Sequence, residues 1–353
     1  MKLYAILLPI FCINIHSSWA GTAEAGDPNA TARAALQAEL EDFSKPDWDR
    51  RTPNWERRFD HRTSAPTFAP EAGPALTEYR EHLTIIADRR WGPVWHQAGT
   101  LDWRPRGRQE RLAVNVFFPP GPSRGTLLFV HGYLSHAANL AYTYALFTNK
   151  GWTVVTLDLP GHGLSTGPRG DIGSFAEYGD AVAAWMDWVW KQNWSGPKVL
   201  MAHSLGAAAS YEALTRPSTP RPDRVVFCAP LLRPRWYGAL ALGRALAGWA
   251  FPAVPSRFDW DGYLDGTTMP THWFGELERW LDGLGRRKPT ALPLTIYAAG
   301  RDKVVDTWWN VSELRRLVPG TRVVELPRYG HVFLASRSER EAFHETLFRD
   351  LGL

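Results

Sequence analysis

Lys198-Val199-Leu200-Met201-Ala202-His203-Ser204-Leu205-Gly206-Ala207-Ala208-Ala209 is the stretch from which the rest of the chain is read. An apolar run of strand length ends at His203, a serine follows, and small residues open a helix. Strand, sharp turn and helix in that order form a nucleophile elbow, in which a strained turn exposes the serine oxygen at the start of the next helix. The partial positive charge of a helix N-terminus suits an anion developing there. The turn tolerates only small neighbours, here Ala202 and Gly206; the usual pattern is G-x-S-x-G, so Ala202 stands where glycine is more common. The alternative for the same residues is an ordinary strand-to-helix junction with Ser204 as N-cap.

The flanking sequence alternates strands and helices. Val94 to Trp103 and Glu110 to Phe118 read as a hairpin joined by Arg104-Pro105-Arg106-Gly107. Gly125 to Val130 and Trp152 to Leu157 are short continuous apolar runs, as expected of strands buried on both faces. Helical spacing marks Ala138 to Phe147 and, more clearly, Phe175, Tyr178, Val182, Trp185 and Val189. After the elbow come strands at Arg224 to Cys228, Leu292 to Ala298 and Arg322 to Leu326, with helices at Thr307 to Leu317 and Glu339 to Asp350. This pattern predicts an α/β fold with a mostly parallel, doubly wound sheet. Residues 231–288 interrupt it with aromatics, Gly-rich helical pieces and no β pattern, and are expected to form an inserted helical cap.

A serine hydroxyl is a poor nucleophile until a base takes its proton, and the base is a histidine held in one tautomer by a carboxylate. On a sheet of this kind the chain order is serine, acid, histidine. Asp302, in Gly300-Arg301-Asp302, follows one strand, and His331, in Gly330-His331, follows the next. Catalytic groups of open α/β sheets gather outside the carboxyl ends of the strands, where all three of these residues fall. Asp306 is a competing acid, but it stands where a helix begins and reads as its cap. His203 adjoins the serine in the chain, so its side chain is expected to point away from it. His272 and His344 read as structural or exposed, and Asp158 as a brace for Gly161-His162-Gly163. Acyl transfer also needs two backbone donors for the oxyanion. Leu205, after the nucleophile, is one; Tyr133, in His131-Gly132-Tyr133, is the other.

Together His131-Gly132-Tyr133, the run from Asp158 to Gly170 with its Gly161-His162-Gly163-Leu164-Ser165, the His203-Ser204-Leu205-Gly206 elbow, Gly300-Arg301-Asp302 and Gly330-His331 resemble the α/β-hydrolases. The similarity is to their lysophospholipase and monoacylglycerol-lipase branch, also described as serine aminopeptidase S33-like, and it runs from about Val94 to the C-terminus. It implies a triad of Ser204, Asp302 and His331 with oxyanion amides on Tyr133 and Leu205, and a substrate that is a lysophospholipid, monoacylglycerol or related acyl ester. An amidase or peptidase with the same triad, and a non-catalytic binding protein on the same fold, are the alternatives. Relatives with an aspartate nucleophile are excluded by Ser204. The Gly-Gly-Pro-type oxyanion loop of the proline iminopeptidases is not matched by His131-Gly132-Tyr133.

The remaining expectations concern the ends, the cap and the partners. Lys2, an apolar stretch from Leu3 to Ile15, and small residues at Ser18 and Ala20 have the layout of a secretory signal over residues 1–20. Export to the periplasm or medium is expected, with an uncleaved membrane anchor as the alternative. Cleavage leaves Cys228 as the single cysteine, a core thiol with no disulfide partner. Residues 21–75 form an N-terminal extension carrying Trp48, Trp55 and Phe59, and the hydrolase core is assigned to 76–230 and 289–353. In the cap, Ala239 to Phe251 is apolar except for Arg244. A helix apolar nearly all round is buried or faces lipid. Leu242, Leu246 and Trp249, with Trp236 and Tyr237 at the rim, are therefore expected to line an acyl pocket, and the cap to be the part that touches a membrane. No metal-ligand cluster or phosphate loop is present in the sequence, so no metal or cofactor is expected. A formal charge of +4 over 353 residues does not argue for nucleic acid.

Overall fold

A computed structural model describes residues 95–353 apart from 193, 248–252, 256–267 and 337. The expected signal over 1–20, the extension over 21–75 and Trp249 lie outside the described residues.

The described chain opens on the antiparallel hairpin of β1 (Trp95–Trp103) and β2 (Glu110–Phe118), closed by a short 3-10 turn at Pro105–Gly107. Then follow β3 (Thr126–Val130), α1 (Ala141–Asn149), β4 (Thr153–Leu157), α2 (Ala176–Lys191), β5 (Lys198–His203), α3 (Leu205–Leu214) and β6 (Arg224–Cys228). Between β6 and the next core strand stand α4 (Tyr237–Ala247), β7 (Ala253–Pro255), β8 (Thr268–Pro270) and α5 (Thr271–Leu284). The chain ends with β9 (Leu294–Ala299), α6 (Thr307–Leu317), β10 (Arg322–Leu326) and α7 (Arg340–Leu351).

Eight strands form one sheet in the order β1-β2-β4-β3-β5-β6-β9-β10. Only the β1–β2 and β2–β4 pairs are antiparallel; the others are parallel. Parallel strands need helical crossovers on both faces, so the central ones are covered twice. This is why β3 and β4, which read Thr-Leu-Leu-Phe-Val and Thr-Val-Val-Thr-Leu, are buried at every residue. The helical stripe of α2 does what its spacing demands: Tyr178, Val182, Trp185 and Val189 are all buried. Every residue of the alanine-rich α3 is buried as well, and Gly179 of α2 lies so near Glu212 of α3 that an added methyl would clash. Small residues on one helix let the other approach closely, which seats α3 under the sheet with its N-terminus at the end of β5.

The insertion departs from its expected all-helical makeup. β7 and β8 pair antiparallel as a two-stranded ribbon. Strands of three residues are too short to show a period of two in the sequence, and Pro255 and Pro270 mask them further.

Candidate active site

Ser204 sits between β5 and α3 with φ 52° and ψ −117°, a region that non-glycine residues avoid. Such a backbone costs on the order of 1–3 kcal/mol and persists only where its surroundings over-determine it. Here its N–H donates to the Cys228 carbonyl at 3.1 Å, and its carbonyl accepts from Leu231 and Ala207, each at 3.0 Å. Gly206 meets the same constraint, because a methyl there would lie 2.5 Å from the carbonyl oxygens of both Val130 and His131. Ala202 is different. It is a strand residue in register with Val130 and Phe227, where a methyl is accommodated in the core.

The other two expected residues reach the same place. Ser204 Oγ lies 3.0 Å from His331 Nε2, and His331 Nδ1 lies 2.7 Å from Asp302 Oδ2. With Nδ1–H donating to the carboxylate, Nε2 is left to accept the serine proton. Asp302 Oδ1 accepts the backbone N–H groups of Val304 and Val305, at 2.8 and 3.0 Å. Burial alone would raise the Asp302 pKa, but the hydrogen bond and charge of His331 and the two amides hold it below the usual carboxylate range. Arg235 Nη1 donates to the Asp302 carbonyl at 2.9 Å and fixes the loop from outside. Asp306 is placed as the N-cap of α6, accepting from the Trp309 amide and paired with Arg233.

The loop after β3 brings Gly132 against the serine: a methyl on Gly132 would stand 3.1 Å from Ser204 Cβ. Among the described residues, neither the Tyr133 N–H nor the Leu205 N–H has an acceptor. Two unengaged amides beside the serine are what an oxyanion hole requires. The loop is braced from below by buried polar groups. Asp158 accepts from the amides of Ala137, at 2.7 Å, and Leu164, at 2.9 Å, so it ties two loops rather than one. His131 Nε2 accepts from Leu159 N–H at 2.9 Å, and burial pushes its pKa down to about 4. The ring stays neutral, as an acceptor must.

His203 contributes more than its sequence position suggests. Its Nε2–H donates to the His331 carbonyl at 2.9 Å, and burial together with the His331 charge lowers its pKa to about 3. It therefore holds the histidine loop by its backbone. The signal was only its adjacency to the serine, which a core histidine shares. His344 is buried between Thr143 and the Arg340 carbonyl, and His272 is half-exposed beside Asp171. Cys228 is a buried free thiol.

A cavity of about 100 Å³ opens over Ser204 and His331. Its walls are mostly apolar: Leu140, Leu231, Val304, Val332 and Leu334 from the core, and Met269 and Trp273 from the insertion. Of the side chains expected in an acyl pocket, the four that are described, Trp236, Tyr237, Leu242 and Leu246, are not among these. Trp236 is 72% exposed, beside Arg235 on the far side of the Asp302 loop. Leu242 and Leu246 are exposed on α4, and Tyr237 packs near the ring of Phe274. The reason is the orientation of α4. Its one charged side chain, Arg244, turns inward to Glu278 of α5, so its leucines turn out. Trp273, which does line the cavity, was not singled out in the sequence, since a tryptophan in an insertion reads equally well as packing. Among the described residues no cluster of His, Cys, Asp or Glu is arranged to hold a metal ion.

A mostly parallel eight-stranded sheet in this order, with a serine at the β5–α3 elbow, defines an α/β-hydrolase. The family model described as serine aminopeptidase, S33, matches residues 121–310, over half the chain, and the protein belongs to that hydrolase family. Phospholipase YtpA of Bacillus subtilis is 26% identical over 211 residues, covering 52% of this chain and 80% of the relative. The monoacylglycerol lipase of Paleococcus ferrophilus superposes with a TM-score of 0.56 at 19% identity, covering 69% of this chain and 98% of that one. A monoglyceride lipase of Saccharomyces cerevisiae gives 0.57 at 12% identity, covering 74% and 97%. At these identities the two structures speak to the fold.

Proposed function

We propose that the protein is a serine carboxylic-ester hydrolase that cleaves lipid-like acyl esters through an acyl-enzyme. Ser204 Oγ attacks the ester carbonyl as His331 Nε2 takes its proton, and Asp302 stabilises the imidazolium that forms. The amides of Leu205 and Tyr133 receive the oxyanion. His331 then gives its proton to the departing alcohol, and water repeats the sequence to release the acid. The observation that carries this reading is the unbroken relay from Ser204 through His331 to Asp302 at the floor of an apolar cavity. The mostly apolar wall suits the acyl chain of an ester.

In this reading the insertion between β6 and β9 is the cap, and its outward face is where the enzyme meets a lipid surface. Residues 1–20 direct export, and the mature chain starts near Gly21; mass spectrometry of the native protein checks that start. The decisive experiment uses a fluorophosphonate probe and two substrate panels. Labelling is expected on Ser204, with turnover of p-nitrophenyl esters and none of aminoacyl anilides. Anilide turnover exceeding ester turnover would reverse the substrate class, and absence of label would remove the mechanism.

A further inference from the structure

Among the described residues, the insertion sends Met269 and the ring of Trp273 to the cavity wall. Trp273, in the first turn of α5, is only 4% exposed and lines the cavity over Ser204. Its indole stacks on Tyr133, with centroids 3.9 Å apart and planes 20° from parallel. The indole is itself pinned, because its Nε1–H donates to Tyr178 Oη of α2 at 3.1 Å. Tyr133 is held from its other end as well: its hydroxyl donates to the Gly170 carbonyl at 2.7 Å, and His162 meets its ring edge-on at 5.5 Å.

These contacts bear on a strained turn. Leu134, the residue after Tyr133, is buried with φ 55°. A leucine adopts that conformation only where its surroundings over-determine it. The Tyr133 side chain packs beside this turn, and its backbone N–H has no acceptor among the described residues, on the wall of the cavity that holds Ser204. The direction of that N–H thus depends on where the ring is clamped, and one jaw of the clamp belongs to the insertion.

We propose that Trp273 is a positioning residue for the Tyr133 amide, so that docking of the insertion on the core sets the rate of the chemical step. The proposal rests on the reading of Ser204 as nucleophile and Tyr133 as oxyanion donor. A residue that served only as a wall for the acyl chain would act differently. It would change KM and chain-length preference and leave the turnover of a short ester alone. A positioning residue changes kcat for every ester, acetate included, because misplacing a donor by about 1 Å costs up to about 100-fold.

The test compares Trp273→Leu, Trp273→Phe, Tyr133→Leu and the Trp273→Leu/Tyr133→Leu double variant on p-nitrophenyl acetate and p-nitrophenyl laurate. Trp273→Leu is expected to lower kcat on acetate about 10- to 100-fold, with KM little changed. Trp273→Phe keeps a ring against Tyr133 and is expected to recover most of kcat. The double variant should be no slower than Tyr133→Leu alone, since both changes break one contact. Unchanged acetate turnover in Trp273→Leu, or losses that multiply in the double variant, would overturn the proposal. Should Trp273→Leu fail to give a cooperative thermal melt, Tyr133→Leu approaches the same contact from its half-buried side, and normal acetate turnover there is equally fatal. Fluorophosphonate labelling of the unaltered protein separates the two levels. An unlabelled Ser204 defeats the underlying mechanism, whereas a labelled one with insensitive Trp273 variants defeats only the clamp.

Discussion

Ser204, His331 and Asp302 are joined by two hydrogen bonds of 3.0 and 2.7 Å, and in the proposed mechanism they act as one unit. Ser204→Ala, His331→Ala and Asp302→Asn are each expected to reduce ester hydrolysis by about 10⁴-fold, and the double variants to lose little more. Asp306→Asn should keep near-normal turnover, because Asp306 caps α6 and pairs with Arg233. Steady-state rates on one soluble ester check all of these, and the opposite ranking of the two aspartates would move the acid to Asp306. At this scale the sequence was informative wherever a residue's role follows from its place at a strand end. Ser204, Asp302 and His331 each stand past the end of a strand, in the chain order expected on this sheet. His203 and Trp273 carry no such mark. A histidine beside a serine and a tryptophan in an insertion acquire their roles only when distant loops close around them.

Among elements, α4 shows where patterning runs out. Its exposed positions, Gly238, Ala239, Leu240, Leu242, Gly243, Ala245 and Leu246, include no polar side chain, and Leu246 is 70% exposed. Surface helices ordinarily turn their polar side outward; this one turns Arg244 inward. Periodicity reveals that a helix is apolar but not which apolar medium it meets, so the expectation of an acyl pocket and the observed outward face fit the same residues. The outward face also motivates a prediction. Leu242→Asp and Leu246→Asp should each change the free energy of unfolding by no more than about 0.5 kcal/mol, the range of ordinary surface changes, since neither side chain is buried. Both should reduce co-sedimentation with phospholipid vesicles and hydrolysis of micellar esters, while p-nitrophenyl acetate turnover stays the same. Full vesicle binding by both variants would mean that lipid is met elsewhere. The strands of the eight-stranded sheet, by contrast, were legible nearly to the residue, because short apolar runs in an alternating α/β chain have little choice but the centre of a parallel sheet.

For the whole molecule, acid is the informative stress. Burial lowers His131 and His344 to about 4, and burial with the neighbouring His331 charge lowers His203 to about 3, each from an ordinary value of 6.5. Between about pH 6.5 and 4 the unfolded chain binds protons at these positions and the native one does not, so stability falls as pH falls through that window. Below it Asp302 adds a loss of the same sign, because a carboxyl held below its ordinary value stabilises the fold only while ionised. The thermal midpoint is therefore expected to drop steadily from pH 6.5 to 4, and His344→Gln to flatten the slope, since His344 lies apart from the serine. A midpoint independent of pH across that range would contradict the neutral, buried state of these rings.

The parallel seam between β6 and β9 has a use beyond holding the sheet together. Ser204 lies on the chain before the insertion, whereas Asp302 and His331 lie after it, and the two portions meet where Val225 to Cys228 pair with Leu294 to Tyr297. On the proposed mechanism, a polypeptide severed between β7 and β8 therefore yields one fragment with a nucleophile and no base, and another with a base and no nucleophile. Neither has a complete relay, and reunion along the seam would be needed to restore it. Fused to two other proteins, such fragments would turn a fluorogenic ester into a reporter of whether those proteins associate, with each reunited pair amplifying its signal by turnover.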